Sequence, residues 1–155
     1  MTLAYEDQAS PIDQSGVSES PAVVWIAAPS DRPDRTGSPL AALAGTPIAS
    51  RFCSWIGASG RRYVFSVYPA FECPAFRDAV LLAAVRDMTG QRRAILVFDT
   101  GAFPEPVVGK AQRELKAFGP GVELHLHLLA TSAAERGAML ADLATAPPSR
   151  RGAPY

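Results

Sequence analysis

The strongest constraint on this chain is a pair of apolar runs, "DAVLLAAVRD" (78–87) and "RRAILVF" (92–98), joined by "DMTGQ" (87–91). Neither run alternates polar with apolar positions. A strand made from either is therefore apolar on both faces and needs cover on both. The alanines of the first run also suit a helix. A matching run directly after a turn favours a β-hairpin.

The neighbouring segments supply its cover. "RRYVFSVYP" (61–69) is rich in aromatic and β-branched residues and stops at Pro69, which reads as a strand. "PEPVVGKAQRELKAFGP" (104–120) places Val108, Ala111, Leu115 and Phe118 on one stripe at helical spacing. Prolines are tolerated at its start, and Gly119 with Pro120 ends it. "VELHLHLL" (122–129) alternates strictly, as a strand does. Ser132 and Glu135 stand at capping-box spacing ahead of a last helix to about Thr145. The order expected is β-β-β-α-β-α, an α+β fold with α/β-like character. Its sheet is small and mixed: an antiparallel meander plus one parallel, right-handed crossover over 92–129, with both helices on one face.

This domain is assigned to residues 48–147. Residues 1–47 read as a flexible acidic arm, because prolines recur through Ser, Asp and Gly. Within the arm, "AVVWIAA" (22–28) is apolar and β-prone, so it is expected to dock on its own domain or on a partner. "SPLAALAG" (38–45) suits a short helical turn between Ser38 and Gly45. Residues 148–155 are a frayed tail. The arm carries two arginines against six carboxylates, and residues 48–147 carry eleven basic against nine acidic groups. With Arg150 and Arg151 the net charge is zero, unlike the strong positive charge of a dedicated nucleic-acid binder. No run approaches the roughly 20 apolar residues of a membrane span. "MTLAYEDQAS" lacks the basic start of a secretory signal, so a cytoplasmic location is expected. Cys53 and Cys73 lack zinc spacing and read as buried reduced thiols.

Both histidines lie in the alternating strand. Glu123, His125 and His127 share one face, and Val122, Leu124, Leu126 and Leu128 share the other, under the helices. Imidazole and carboxylate groups are suitable zinc ligands, which makes His125 and His127 the metal candidates. Glu123 and His127 are, however, roughly 13 Å apart along an extended strand. The expectation is that the polar face is the water side of the sheet and that the chain has no metal or other cofactor.

Three local patterns resemble known families. "ILVFDTGA" (95–102) resembles the active-site strand of retroviral-type aspartic proteases. That resemblance implies a catalytic Asp99, with Thr100 beside it, paired across a homodimer. The competing reading is that Asp99 and Thr100 end a strand and Gly101 permits the turn. "PVVGKA" (106–111) resembles the pyrophosphate loop of the acetyltransferase superfamily related to histone acetylases. It would place Gly109 and Ala111 at a coenzyme A phosphate, with Pro106 departing from the family's Arg or Gln. The strand order resembles the ribonuclease H-like fold, but "RRYVFSV" lacks the acidic residue those nucleases place on the first strand.

The expected meander brings Arg61, Arg62, Arg86, Arg92 and Arg93 to one end of the sheet, where guanidinium groups suit anions. Asp99, Thr100, Gly101, Thr131 and Ser132 fall around the opposite end, where a ligand of a parallel sheet sits. The function expected is a small non-catalytic interaction or regulatory domain. It would bind a protein or an anionic partner, or self-associate, through these arginines and Trp25. The alternative is a small enzyme, acyltransferase-like near Gly109 or hydrolase-like at Asp99, or a metal binder through His125 and His127.

Overall fold

The computed structural model describes residues 36–144 and, by backbone alone, residues 23–25. The hairpin forms as expected. Strand β5 (Val80–Arg86) pairs antiparallel with β6 (Arg92–Asp99), and Val80–Ala84 is buried at every position. The remaining strands are β1 (Val23–Trp25), β2 (Thr36–Gly37), β3 (Phe52–Ile56), β4 (Arg62–Pro69) and β7 (Val122–His127). Helix α1 (Pro104–Leu115) precedes β7, and α2 (Ala133–Ala144) follows it.

The sheet differs from the expected mixed one. Its order is β1-β6-β5-β7-β4-β3, and every strand pair among the described residues is antiparallel. Strand β7 does not pair with β6, so there is no parallel crossover. It enters between β4 and β5, with His125 opposite both Val67 and Leu82. The 61–69 and 78–87 strands are therefore not neighbours in a meander. The sequence reading also omitted β3, "FCSWI", whose Cys and Ser weaken the β-branched signature of a strand.

The sheet curls into a nearly closed barrel. Gly37 of β2 pairs with Arg92 of β6, and the next residue, Ser38, exchanges two backbone hydrogen bonds with Ser54 of β3, at 2.9 and 2.8 Å. One short segment thus straps the two edge strands together at the lower end of the barrel. Backbone pairing of β1 with Leu96–Phe98 covers the rest of the β6 edge. A bulge assists the curvature: Ala83 faces Leu96 and Ala84 faces Ala94, leaving Ile95 as the extra residue.

The helices lie on opposite faces, contrary to the expectation of one. Val108, Ala111 and Leu115 of α1 pack outside the barrel on Leu81, Ala83, Leu124 and Leu126. Met139, Leu140 and Leu143 of α2 join the interior cluster of Trp55, Phe65, Val80, Leu82 and Val97. The physical reason is the double-sided apolar character of β5 and β6. A barrel interior filled by α2 covers one face, and α1 covers the other. Helix α2 is tied in by its C-terminal half: Ala58 N–H donates to the Asp142 carbonyl at 2.9 Å, and the Ser59 and Tyr63 hydroxyls donate to its carboxylate. The capping box forms with a shift. Glu135 N–H donates to Ser132 Oγ, but the Glu135 carboxylate accepts from Thr131 N–H. The 38–45 segment contains a single 3₁₀ turn at Ala41–Leu43, with Gly45 at positive φ. No helix of the described residues is long and apolar enough to cross a membrane.

Candidate functional site

Insertion of β7 redistributes the arginines. Strands β4 and β5 are both antiparallel to β7 and so run the same way. Arg61 and Arg62, at the start of β4, therefore stand at the upper end of the barrel. Arg86, at the end of β5, and Arg92 and Arg93, at the start of β6, stand at the lower end. The five do not gather.

The three lower arginines are each paired internally, on two carboxylates. Arg86 and Arg92 donate to the two oxygens of Glu123 at 2.9 and 2.7 Å, and Arg93 donates to Asp87 at 3.0 Å. Burial alone would raise the Glu123 carboxyl. Hydrogen bonds from His125 and from both arginines outweigh it and hold the group at about 2.

The histidines do not face water. Glu123, His125 and His127 share a face as expected, but that face is the barrel interior, and His125 is 0% exposed. His125 Nδ1 accepts from Trp55 Nε1–H at 3.0 Å. Indole nitrogen is only a donor, so the neutral ring carries its proton on Nε2 and donates it to Glu123 at 2.9 Å. Burial lowers the pKa of His125 and keeps it neutral against the opposing pull of Glu123. The line Trp55–His125–Glu123–Arg92 is a closed polar network with both ring nitrogens of His125 occupied. Among the described residues, no group of three or more His, Cys, Asp or Glu is placed to hold a metal ion.

His127 differs. Its Nδ1 lies 2.7 Å from the Val64 carbonyl oxygen, which can only accept. Nδ1 therefore carries the proton, and in the neutral ring Nε2 is left with a lone pair. Nε2 has no hydrogen-bond partner among the described residues, although His127 is only 7% exposed. The ring lines a cleft of about 410 Å³ at the upper end of the barrel, between β4, the segment after β7 and α2. Arg61, Arg62, Tyr63 and Glu135 supply the other polar walls. Leu129, Ala130, Ala138 and Met139 supply an apolar wall. Two guanidinium groups against one carboxylate give the cleft a net positive charge. The Tyr63 hydroxyl faces away from this role: burial, and then its bond to Asp142, raise its pKa, so it stays protonated.

The remaining sequence candidates have structural partners. Asp99 accepts from buried Arg136 at 2.9 Å and from Gly101 N–H at 2.8 Å. Thr100 is buried, and its hydroxyl accepts from Ala79 N–H at 3.0 Å. Gly109 lies in the body of α1, where its N–H belongs to the helix ladder and not to a free helix end. Ala111 is buried against the sheet. Thr131 and Ser132 cap α2. Trp25 lies in β1 opposite Leu96; its side chain falls outside the described residues. Cys53 and Cys73 are free and buried, and burial pushes both thiols up to about 11, far from a reactive thiolate.

The cleft itself was not legible in the sequence. Its one available signal was the "RRY" start of β4, which reads as a surface edge until β7 places His127 beside it. No family model matches the chain, and neither a curated protein nor a solved structure matches it.

Proposed function

We propose that this is a non-catalytic binding domain whose partner presents a small anionic group to the upper cleft. One observation carries the reading. Of the five arginines expected to bind a partner, three are spent on Glu123 and Asp87, while Arg61 and Arg62 line an open cleft with an apolar wall. A cleft of about 410 Å³ suits a small molecule or one extended side chain of a larger partner. Guanidinium groups favour carboxylate and phosphate through paired N–H donors. Binding is favoured over catalysis because Asp99, Thr100 and both thiols are engaged in packing and hydrogen bonds.

Isothermal titration of the full chain with hexanoate and with inorganic phosphate tests this. Binding of either anion is expected, weakened about tenfold or more in the Arg61→Gln, Arg62→Gln double variant and by added salt. Absence of binding by both anions at tens of millimolar, or equal binding by the double variant, overturns it.

A further inference from the structure

The His127 ring, which is 7% exposed, lines the cleft, and its Nε2 has no hydrogen-bond partner among the described residues. A buried polar atom without a partner is costly, and native interiors rarely keep one. The Val64 carbonyl fixes the opposite side of the ring, so the ring cannot flip to hide Nε2 without losing a 2.7 Å hydrogen bond. What the neutral ring offers the cleft is an acceptor. The cleft's other polar groups are the Arg61 and Arg62 guanidiniums, the Tyr63 hydroxyl and the Glu135 carboxylate, and among the described residues none of them is hydrogen-bonded to Nε2.

We infer that the cleft recognises a small organic anion that also carries a hydroxyl, with its acid group at Arg61 and Arg62, its hydroxyl donating to His127 Nε2, and its carbon chain on Leu129 and Met139. This rests on the anion-binding reading above and narrows it to hydroxy acids. The same geometry gives selectivity. An acid lacking the hydroxyl leaves Nε2 buried and unpaired, and a site built around a hydrogen bond discriminates against such an analogue. The Glu135 carboxylate lines the same cleft, and one oxygen is held by Thr131 N–H and the Thr131 hydroxyl, at 2.9 and 3.3 Å. Both contacts fall on Oε2, so Oε1 is a second acceptor in the cleft, and the His127→Asn comparison below separates it from Nε2.

The test compares hexanoate with 2-hydroxyhexanoate and 3-hydroxyhexanoate by titration of the full chain. At least one hydroxy acid is expected to bind about fivefold to tenfold more tightly than hexanoate. In wild-type protein, the ¹⁵N resonance of His127 Nε2 is expected to move with that hydroxy acid and not with hexanoate. His127→Asn retains a donor for the Val64 carbonyl and deletes Nε2, so the ratio of hydroxy acid to hexanoate affinity is expected to fall to about one. Equal binding of all three acids, weakened together by the Arg61 and Arg62 substitutions, overturns the hydroxyl inference and leaves anion binding standing. A preference that persists in His127→Asn, or an unmoved Nε2 resonance, also overturns it. Binding of none of the three acids overturns the hydroxyl inference, and it overturns the anion reading as well when inorganic phosphate also fails to bind.

Discussion

Trp55 and His125 are joined across the barrel interior by a hydrogen bond from Nε1 to Nδ1, 3.0 Å long, between residues 70 positions apart in the chain. Their rings lie 5.6 Å apart at a tilt of 56°. This bond fixes the tautomer of His125 and through it the donor that Glu123 receives. Trp55→Phe keeps most of the buried ring but leaves Nδ1 without a donor, and is expected to cost about 2 kcal/mol. In a double-mutant cycle with His125→Leu, urea unfolding should give a coupling above about 0.5 kcal/mol. Additive effects would show that the bond contributes nothing.

The same network sets the pH dependence of stability. His125 has a folded pKa below its ordinary 6.5, so the unfolded chain binds the extra proton. Its contribution is complete above about 6.5 and is lost as pH falls. Glu123, at about 2 against an ordinary 4.5, contributes fully above 4.5 and loses that contribution as pH falls towards 2. Both effects have one sign: acid destabilises. Thermal unfolding should show a falling midpoint below pH 6.5 that steepens below 4.5. His125→Leu should flatten the upper part of that profile, and a midpoint constant from pH 7 to pH 5 in wild type would contradict the assignment.

Barrel closure depends on the absence of a side chain at position 37. A Cβ there would meet Cys53 Sγ at 2.5 Å and the Trp55 ring at 2.8 Å. Gly37→Ala is therefore expected to destabilise by about 1–3 kcal/mol, an overpacking effect, and to weaken the strap between β6 and β3. Hydrogen exchange at Ser38 and Ser54 amides, which carry the strap, should accelerate more than exchange in β5.

Asp99 is expected to matter for stability and not for chemistry. Arg136 is 7% exposed, and without Asp99 its nearest carboxylate is the half-exposed Asp78 at 3.6 Å. Asp99→Ala should cost about 3 kcal/mol in chemical denaturation, because it strands a buried guanidinium. Hexanoate affinity at the cleft, which Asp99 does not line, should stay within about twofold of wild type.

Local pattern determined several features of this protein before any folding was considered. The 78–98 hairpin, the 104–115 helix, the alternating 122–127 strand and the cap of α2 each follow from residues within one element, where periodicity and turn chemistry act at short range. The common face of Glu123, His125 and His127 was equally legible, because side chains alternate along any strand. Only the tertiary structure decided what that face meets. A period of two places side chains on opposite faces but does not say which face is wet, and here Trp55, Phe65 and α2 turned the polar face into the interior. Strand partners are chosen by contacts far apart in sequence, so the entry of β7 between β4 and β5 had no local sign. That one choice made the sheet antiparallel and separated Arg61 and Arg62 from the other arginines. It also set His127 beside Arg61 and Arg62, which is where the cleft lies.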